Sequence, residues 1–558
     1  FLLRRGATIA AVGWQTDIRP GLARMTIDAP APLADGRPIT GPLRLTLIPD
    51  RPARSLEMTR PDHLHHPPLA LDDPNARLYV RAAPFVEPRL IPRDRWAFAV
   101  EDGAGRRPSA DHLWLADGFA AGLYYEVVYT AAAPAIAGLG LAVTRDFVSF
   151  LRHEATDAQG TPNPLTSDGR QTIARTIGFG SSQSGRFLRQ FVHEGFNADE
   201  QGRRVFDGLL VYIAAASMGS FNHRFAQPGK TRPHMNGVYA VERFPFADEP
   251  LDDPISGQRA GLLDRARAED VVPRIFAINS SAEYWGGAAS LLHTDPLGER
   301  DVQPADTTRV YHIAGTQHVA GSWPVGEAGQ MTLLPYPTGK HPLSPVMVQP
   351  VMRGLFAAME GWLREGTEPP PSAYPRLADG TLTTFEAARA GFPAIPDVRL
   401  PDEIAVPRLL DYGPRWSEGI IDQEPPGFGT AYGSRVPAVN ADGNEPAGVQ
   451  PLELRVPLAT YTGWNPRHPD TGSPTLPAAM LGSYFPFAAT NADAAAKGDP
   501  RPSIAARYRD REDFMRRVDA AIADLLAERL VLEEDVPPLR RRAEAQWAAH
   551  APTPDAVG

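Results

Sequence analysis

Apolar positions along the chain change period several times, and each change marks a different kind of element. Residues 7–14, ATIAAVGW, form an unbroken apolar run after LLRRG, which predicts a buried strand behind a helix end that stops at Gly6. From about 21 to 125 the pattern alternates. LRLTLI, ARLYVRA, RWAFAVE and LYYEVVYT are separated by Pro and Gly with no long helical stretch between them, which predicts a β-rich insertion. Residues 134–152, PAIAGLGLAVTRDFVSFLR, return to helical spacing.

Beyond this point continuous apolar runs alternate with helical ones. Thr176, Ile177 and Phe179 supply a short strand, and DGLLVYIAAA (207–216), RIFAINSS (274–281) and TRVYHIAG (308–315) read as buried strands. VMVQPVMRGLFAAMEGWLREG places Val348, Met352, Leu355, Met359 and Trp362 on one helix face. Such alternation predicts an α/β chain built on a mostly parallel sheet flanked by helices. A proline-rich boundary, GTEPPPSAYP, precedes a tail that is irregular until 510–532, where Phe514, Val518, Ile522, Leu525 and Leu526 define an amphipathic helix.

Composition narrows the possible functions. The 558 residues carry a net charge of -10 without any block of like charge, which argues against a nucleic-acid partner. There is no cysteine, so disulfides, thiolate metal sites and cysteine nucleophiles are excluded while the compartment stays open. No run approaches eighteen apolar residues, so no membrane span is expected. The opening FLLRRGATIAAVGWQTD has an Arg pair before an apolar run, but that run is short and lacks a small-residue cleavage pattern, so a signal peptide is not the reading adopted. The first residue is not methionine, and a start further upstream is expected.

Within TIGFGSSQSGRFLRQ (176–190), three serines lie between the strand and a helix whose apolar face is Phe187, Leu188, Phe191 and Val192. A nucleophile on a sharp strand-to-helix turn needs small residues two positions before and after it. Ser181 has Phe179 before it and Ser184 has Arg186 after it. Ser182 has Gly180 and Ser184, giving G-x-S-x-S, and is the candidate nucleophile. A serine hydroxyl needs a base, and the base needs an orienting acid. In the order serine, acid, histidine, RIFAINSSAEYW offers Glu283 in the loop after one strand and TRVYHIAGTQH offers His318 after the next. Asp295 is the rival acid, better explained as a turn residue before Pro296. His312 is the rival base, but it lies inside a strand. The backbone N–H of Gln183, directly after the nucleophile, is the candidate oxyanion donor.

Other features carry less. HLHH (63–66) precedes two prolines in a loop and lacks an acidic partner, so no metal site is expected. GLGLAV (138–143) lacks the third glycine of a dinucleotide fingerprint and is read as helix, and no cofactor is expected. Trp14, Asn222 and His223 stand at the ends of strands, where a substrate-pocket wall is one reading and loop or core structure the simpler one. DGNE (442–445) reads as a turn.

With these residues in view, the chain resembles a bacterial family of alpha/beta hydrolase domain proteins, which are large serine hydrolases. The likeness spans nearly the whole chain and is carried by FLLRRGATIAAVGWQTD, GFGSSQSGRFLRQFVHEGFN, SFNHRFAQP, SAEYWGGAASLLHTDP, AGTQH, PAVNADGNEPAG, PLATYTGWN and GDPRPSIAARY. The resemblance implies an α/β-hydrolase fold with Ser182 as nucleophile, Glu283 as acid and His318 as base, the assignment reached from spacing. It also implies cleavage of a small carboxylic ester or lactone. A binding protein on a hydrolase scaffold and an acyltransferase using the same three residues are the alternatives. The expected domains are a catalytic unit of 1–20 and 126–385, the insertion 21–125, and an extension 386–558 that packs on or lids the core. In related hydrolases a strand and an oxyanion loop precede the helix that LLRRG ends, so these are expected upstream of Phe1.

Overall fold

Alternating residues in the first quarter of the chain pair into antiparallel strands. These are β1 (Thr40–Leu47), β2 (Ala53–Glu57), β3 (Arg77–Arg81), β4 (Arg89–Ile91), β5 (Trp96–Asp102), β6 (Gly105–Phe119) and β7 (Tyr124–Ala132). One sheet has the order β1-β7-β3-β4 and the other β2-β6-β5. Their inner faces bury Leu43, Leu45, Leu78, Phe98, Leu113 and Val127 in a common core, as the period of two requires. β7 carries this antiparallel unit to Ala132, a few residues past 125. Arg44, fully buried, pairs with Glu126 at 2.8 Å and with Glu424 of the tail at 2.9 Å, so the unit is tied to a distant part of the chain.

The coordinates come from a computed structural model that describes residues 1–551 apart from 20, 22–23, 60–62, 168–169, 230–238, 326–337, 405 and 479. The α/β part follows the β-rich one. Its elements are α1 (Leu139–His153), β8 (Ile177–Ser181), α2 (Gln183–His193), β9 (Gly208–Tyr212), β10 (Arg274–Ser280), α3 (Ser281–Gly287), β11 (Thr308–Ile313) and α4 (Gln349–Glu365). The four strands lie side by side in chain order and are all parallel.

Strands β9 to β11 are covered on both faces, as neighbouring residues of β9 show, whereas β8 leaves Phe179 and Ser181 exposed on one face. Leu209 and Val211 pack with Phe187, Phe191 and Leu141 of α2 and α1, whereas Leu210 packs with Leu355 and Met359 of α4. Leaving one face polar was never possible, which is why these strands read as continuous apolar runs. The second layer is completed by α5 (Arg511–Ala527), whose Phe514, Val518 and Ile522 join the α4 cluster, and by α6 (Val536–His550). The sequence pattern does not reveal α6, because its buried side is narrow: Leu539, Ala543 and Gln546.

Two sheet edges differ. Beside β11, Tyr311 bridges to Ala373 and Ile313 to Val449, so tail segments extend the ladder. Beyond β8 no described strand continues the sheet, and a cavity of about 1150 Å³ is lined by Ile177, Phe179 and Ser181 of β8, by α4 and by residues 7–10. The strand expected at 7–14 does not form. Four of those residues are exposed and four part-buried, and no ladder reaches them. The helix end before them is a single 3₁₀ turn, Leu3–Arg5, closed by Gly6 at φ 81°. Among the described residues no helix is long and apolar enough to cross a membrane.

Several histidines are held neutral by the packing. Burial pushes His193 and His223 down to about 4 and His293 to about 3. His293 Nε2 is hydrogen-bonded to the Tyr284 hydroxyl, 2.9 Å away. In the unfolded chain these imidazoles take up protons near pH 6.5. As pH falls below that value the unfolded state gains protons that the folded state refuses, so stability is full above it and declines toward pH 4. Urea unfolding should therefore show a lower midpoint at pH 5 than at pH 7, and a His293→Gln variant should show a smaller difference between the two.

Candidate active site

The turn from β8 into α2 is built from small residues because nothing larger fits. A Cβ placed on Gly180 would stand 2.3 Å from the Ser184 carbonyl oxygen, and one on Gly185 would stand 2.9 Å from the Tyr212 carbonyl oxygen. Between them Ser182 adopts φ 56° and ψ -112°, a conformation that costs a non-glycine residue energy and persists only where surrounding structure imposes it. Its N–H donates to the Tyr212 carbonyl at 2.9 Å, and its own carbonyl accepts from Arg186 N–H at 2.9 Å. Ser182 is therefore fixed by β9 on one side and by the first turn of α2 on the other.

The sheet brings Glu283 and His318 to the same end. Glu283 lies in the first turn of α3 rather than in a loop, because Ser280, Ser281, Ala282 and Glu283 form a capping box directly after β10. Ser280 donates to Glu283 Oε2 from its N–H at 3.0 Å and from its hydroxyl at 2.5 Å. The other oxygen, Oε1, accepts from His318 Nδ1–H at 2.5 Å. His318 Nε2 in turn accepts from the Ser182 hydroxyl at 2.8 Å. Glu283 is 2 % exposed and the His318 side chain 12 %, so the chain of bonds runs from interior to cavity. Burial by itself raises the Glu283 carboxyl, but the adjacent His318 and the donors from His318 and Ser280 outweigh it and hold the group below its usual value.

Of the remaining sequence candidates, Gln183 adjoins Ser182 and the others lie elsewhere. Gln183 begins α2, and its side-chain amide donates to the Pro228 carbonyl at 2.7 Å. Trp14 stacks on Phe187, with ring centroids 4.3 Å apart, and meets Phe221 edge-on. Its indole joins the core beneath α2, which its apolar neighbours in sequence favour over a pocket wall. Asn222 and His223 line a separate cavity of about 1040 Å³ that also takes in His193, at the opposite end of α2 from Ser182. His223 is occupied there by Ser220 and by the Arg224 carbonyl, and it packs on Trp416.

The rival acid Asp295 accepts from the N–H groups of Glu299 and Arg300 and closes a turn. The rival base His312 is in β11, where Glu445 accepts from its Nε2–H at 2.9 Å. His65 and His66 are bonded to the carbonyls of Ala110 and Ala226, and among the described residues no group of three or more potential ligands could hold a metal ion.

Sequence reasoning missed the groups that hold the His318 loop. His318 N–H donates to the Met480 carbonyl at 3.2 Å, Gly482 N–H to Gln317 Oε1 at 2.9 Å, and the Ser344 hydroxyl to the Gly315 carbonyl at 2.9 Å. Backbone partners leave no trace in residue type. Glu445, inside the DGNE run, did leave one, since an acid behind a glycine turn need not be solvated.

A parallel sheet that gathers a serine, a histidine and a glutamate at its strand ends belongs to the α/β class of catalytic folds. Residues 117–541 match the family model described as an alpha/beta hydrolase domain, and the chain belongs to that family. Membership points to a hydrolase-type activity. No curated protein and no solved structure matches the chain.

The tight fit at the turn has a direct test. Gly180→Ala forces its Cβ against the Ser184 backbone, and overpacking of this kind costs about 1–3 kcal/mol. The variant should melt several degrees lower than wild type. An unchanged melting temperature would show that strand and helix can part there without penalty.

Proposed function

We propose that the protein is a serine hydrolase that cleaves a carboxylic ester or lactone through an acyl-enzyme, with Ser182 as nucleophile, His318 as general base and Glu283 as the acid that orients it. The observation that carries this reading is the unbroken hydrogen-bond chain from Glu283 through both nitrogens of His318 to the Ser182 hydroxyl, on a serine of positive φ. A buried glutamate bonded to Nδ1 fixes the tautomer that leaves Nε2 free to take a proton.

In the first half-reaction Ser182 Oγ bonds to the substrate carbonyl carbon while its proton passes to His318 Nε2. The charge that develops on the imidazole is balanced by Glu283. The carbonyl oxygen becomes an oxyanion, to which the N–H of Gln183 at the start of α2 is suited to donate a hydrogen bond. Collapse breaks the carbon–oxygen bond to the leaving alkoxide, which receives the proton from His318. Water then repeats the sequence on the acyl-enzyme and releases the acid. The cavity to which Ser181 and His318 contribute offers room for an organic substrate.

A fluorophosphonate probe followed by peptide mapping should label Ser182, and Ser182→Ala should lose both labelling and turnover of activated esters and lactones. Turnover equal to wild type in that variant overturns the assignment. Glu283→Gln should keep the fold and lose turnover on the order of 10⁴-fold, as the corresponding aspartate change does in a serine protease, because the wrong tautomer faces the serine. A greater loss in Asp295→Asn would move the acid to Asp295.

A further inference from the structure

Glu445 lies in the tail, more than 120 residues beyond His318, and is nevertheless 3 % exposed beneath the ends of the parallel strands. One of its oxygens, Oε2, accepts three hydrogen bonds. The Ser281 hydroxyl donates at 2.5 Å, His312 Nε2–H at 2.9 Å and Gly315 N–H at 3.2 Å. These donors are not arbitrary. Ser281 is the first residue of α3, two positions before Glu283. His312 sits in β11, and Gly315 lies in the turn that leads from β11 to His318.

We propose that Glu445 is a positioning residue, which through one buried carboxylate oxygen clamps the helix that carries Glu283 to the loop that carries His318. The inference rests on the reading of Ser182, Glu283 and His318 as the catalytic set. Geometry around the clamp supports it. The turn before Glu445 is fixed by Asn440, whose Oδ1 accepts from Asp442 and Asn444, and by the Asn444 side chain, which bonds the backbone of Ala459 and Tyr461.

After Glu445 the chain runs beside β11, with Val449 N–H donating to the His312 carbonyl at 2.7 Å and Ala314 N–H to the Val449 carbonyl at 3.0 Å. Such an approach needs glycine at 448, whose φ is 89° and where a Cβ would stand 2.4 Å from the His312 carbonyl oxygen. Gly463 likewise lets the tail close on Ser281, since a Cβ there would meet the Ser281 carbonyl carbon at 2.4 Å. The carboxylate is thus delivered to its three donors by backbone that has no other place to go.

Three donors converging on one oxygen call for a full negative charge. Burial raises the Glu445 carboxyl, yet His312, Ser281 and Gly315 together hold it below its usual value. A glutamine of the same volume supplies a weaker acceptor, and if its amide is turned it sets N–H against N–H. Loosening the clamp lets α3 and the His318 loop drift relative to one another, and a misplacement of about 1 Å at reacting groups can cost 10²-fold in rate.

The test compares wild type, Glu445→Gln and Ser281→Ala in full-length protein, by turnover of an activated ester, fluorophosphonate labelling, thermal melting and the far-downfield proton resonance of the His318–Glu283 bond. Glu445→Gln should lose about 10- to 100-fold in kcat with KM within about twofold of wild type, and its downfield resonance should shift or broaden. Ser281→Ala keeps the carboxylate and two donors, and should show a smaller loss in the same direction. It decides the matter if Glu445→Gln fails to fold.

A variant that melts lower but keeps the wild-type kcat and resonance overturns the inference, because Glu445 would then contribute to the fold alone. Wild-type protein that neither turns over esters nor takes the probe overturns the catalytic reading first and this one with it.

Discussion

The arrangement at the strand ends depends on one carboxylate, Glu283, staying ionised where water hardly reaches it. An isolated buried carboxylate costs several kcal/mol, and the cost is offset only where donors satisfy both oxygens. Here the capping box does half of that work. Ser280 occupies Oε2 with its N–H and its hydroxyl, which leaves Oε1 as the one acceptor facing the cavity side. His318 can therefore approach from a single direction, and the serine that shares its other nitrogen must lie beyond it on the same line. Helix capping, the orientation of His318 and its bond to Ser182 are three consequences of one local motif, S-x-x-E at the end of β10.

Much of this was legible in the sequence because it follows from steric rules with few solutions. Only one of three serines had small residues at both flanking positions, and the structure places backbone within 2.3 Å of where a Gly180 side chain would begin. Strands β9 to β11 were recognisable as continuous apolar runs, since burial on both faces leaves no alternation to read. Glu283 was found by its place after a strand, although the first turn of a helix, not a loop, holds it.

The illegible parts share another cause. The run at 7–14 has the composition of a strand, but pairing depends on a neighbour and these residues make no ladder with β8. Helix α6 buries too few residues to show a stripe. Trp14 was ambiguous because an indole serves a pocket wall and a core equally well, and only the stack on Phe187 decides. Asn222 and His223 follow a strand-end run as site residues do, yet the segment leads away from Ser182 to the other end of α2. Glu445 was read as part of a turn, which its neighbours form. Nothing local indicates that the turn is driven into the core, because that depends on glycines at 448 and 463 meeting backbone more than a hundred residues away in one case and in the other.

Backbone strain is distributed in a way that links these observations. Ser182 is not alone in adopting positive φ at the end of a parallel strand: Ile213 has φ 46° and Ala215 φ 55°, immediately after β9. For a β-branched residue such as Ile213 this is a costly conformation, tolerated where hydrogen bonds impose it. Ile213 N–H is held by the Ile278 carbonyl at 2.7 Å, and Ala215 N–H by the Asn279 side chain at 2.9 Å, both from β10. Met480, whose carbonyl receives the His318 N–H, also has positive φ, at 70°. Strained residues thus stand behind the serine and behind the histidine: Ile213 and Ala215 are bonded to β10, whose end carries Glu283, and Met480 is bonded to His318 itself. β9 holds the Ser182 N–H, β10 holds the turn after β9, and the capping box at the end of β10 holds Glu283. Strain at one strand end is fixed by hydrogen bonds from the next, so the geometry at Ser182 is a property of the joined strand ends and cannot be transferred with the G-x-S-x-S turn alone.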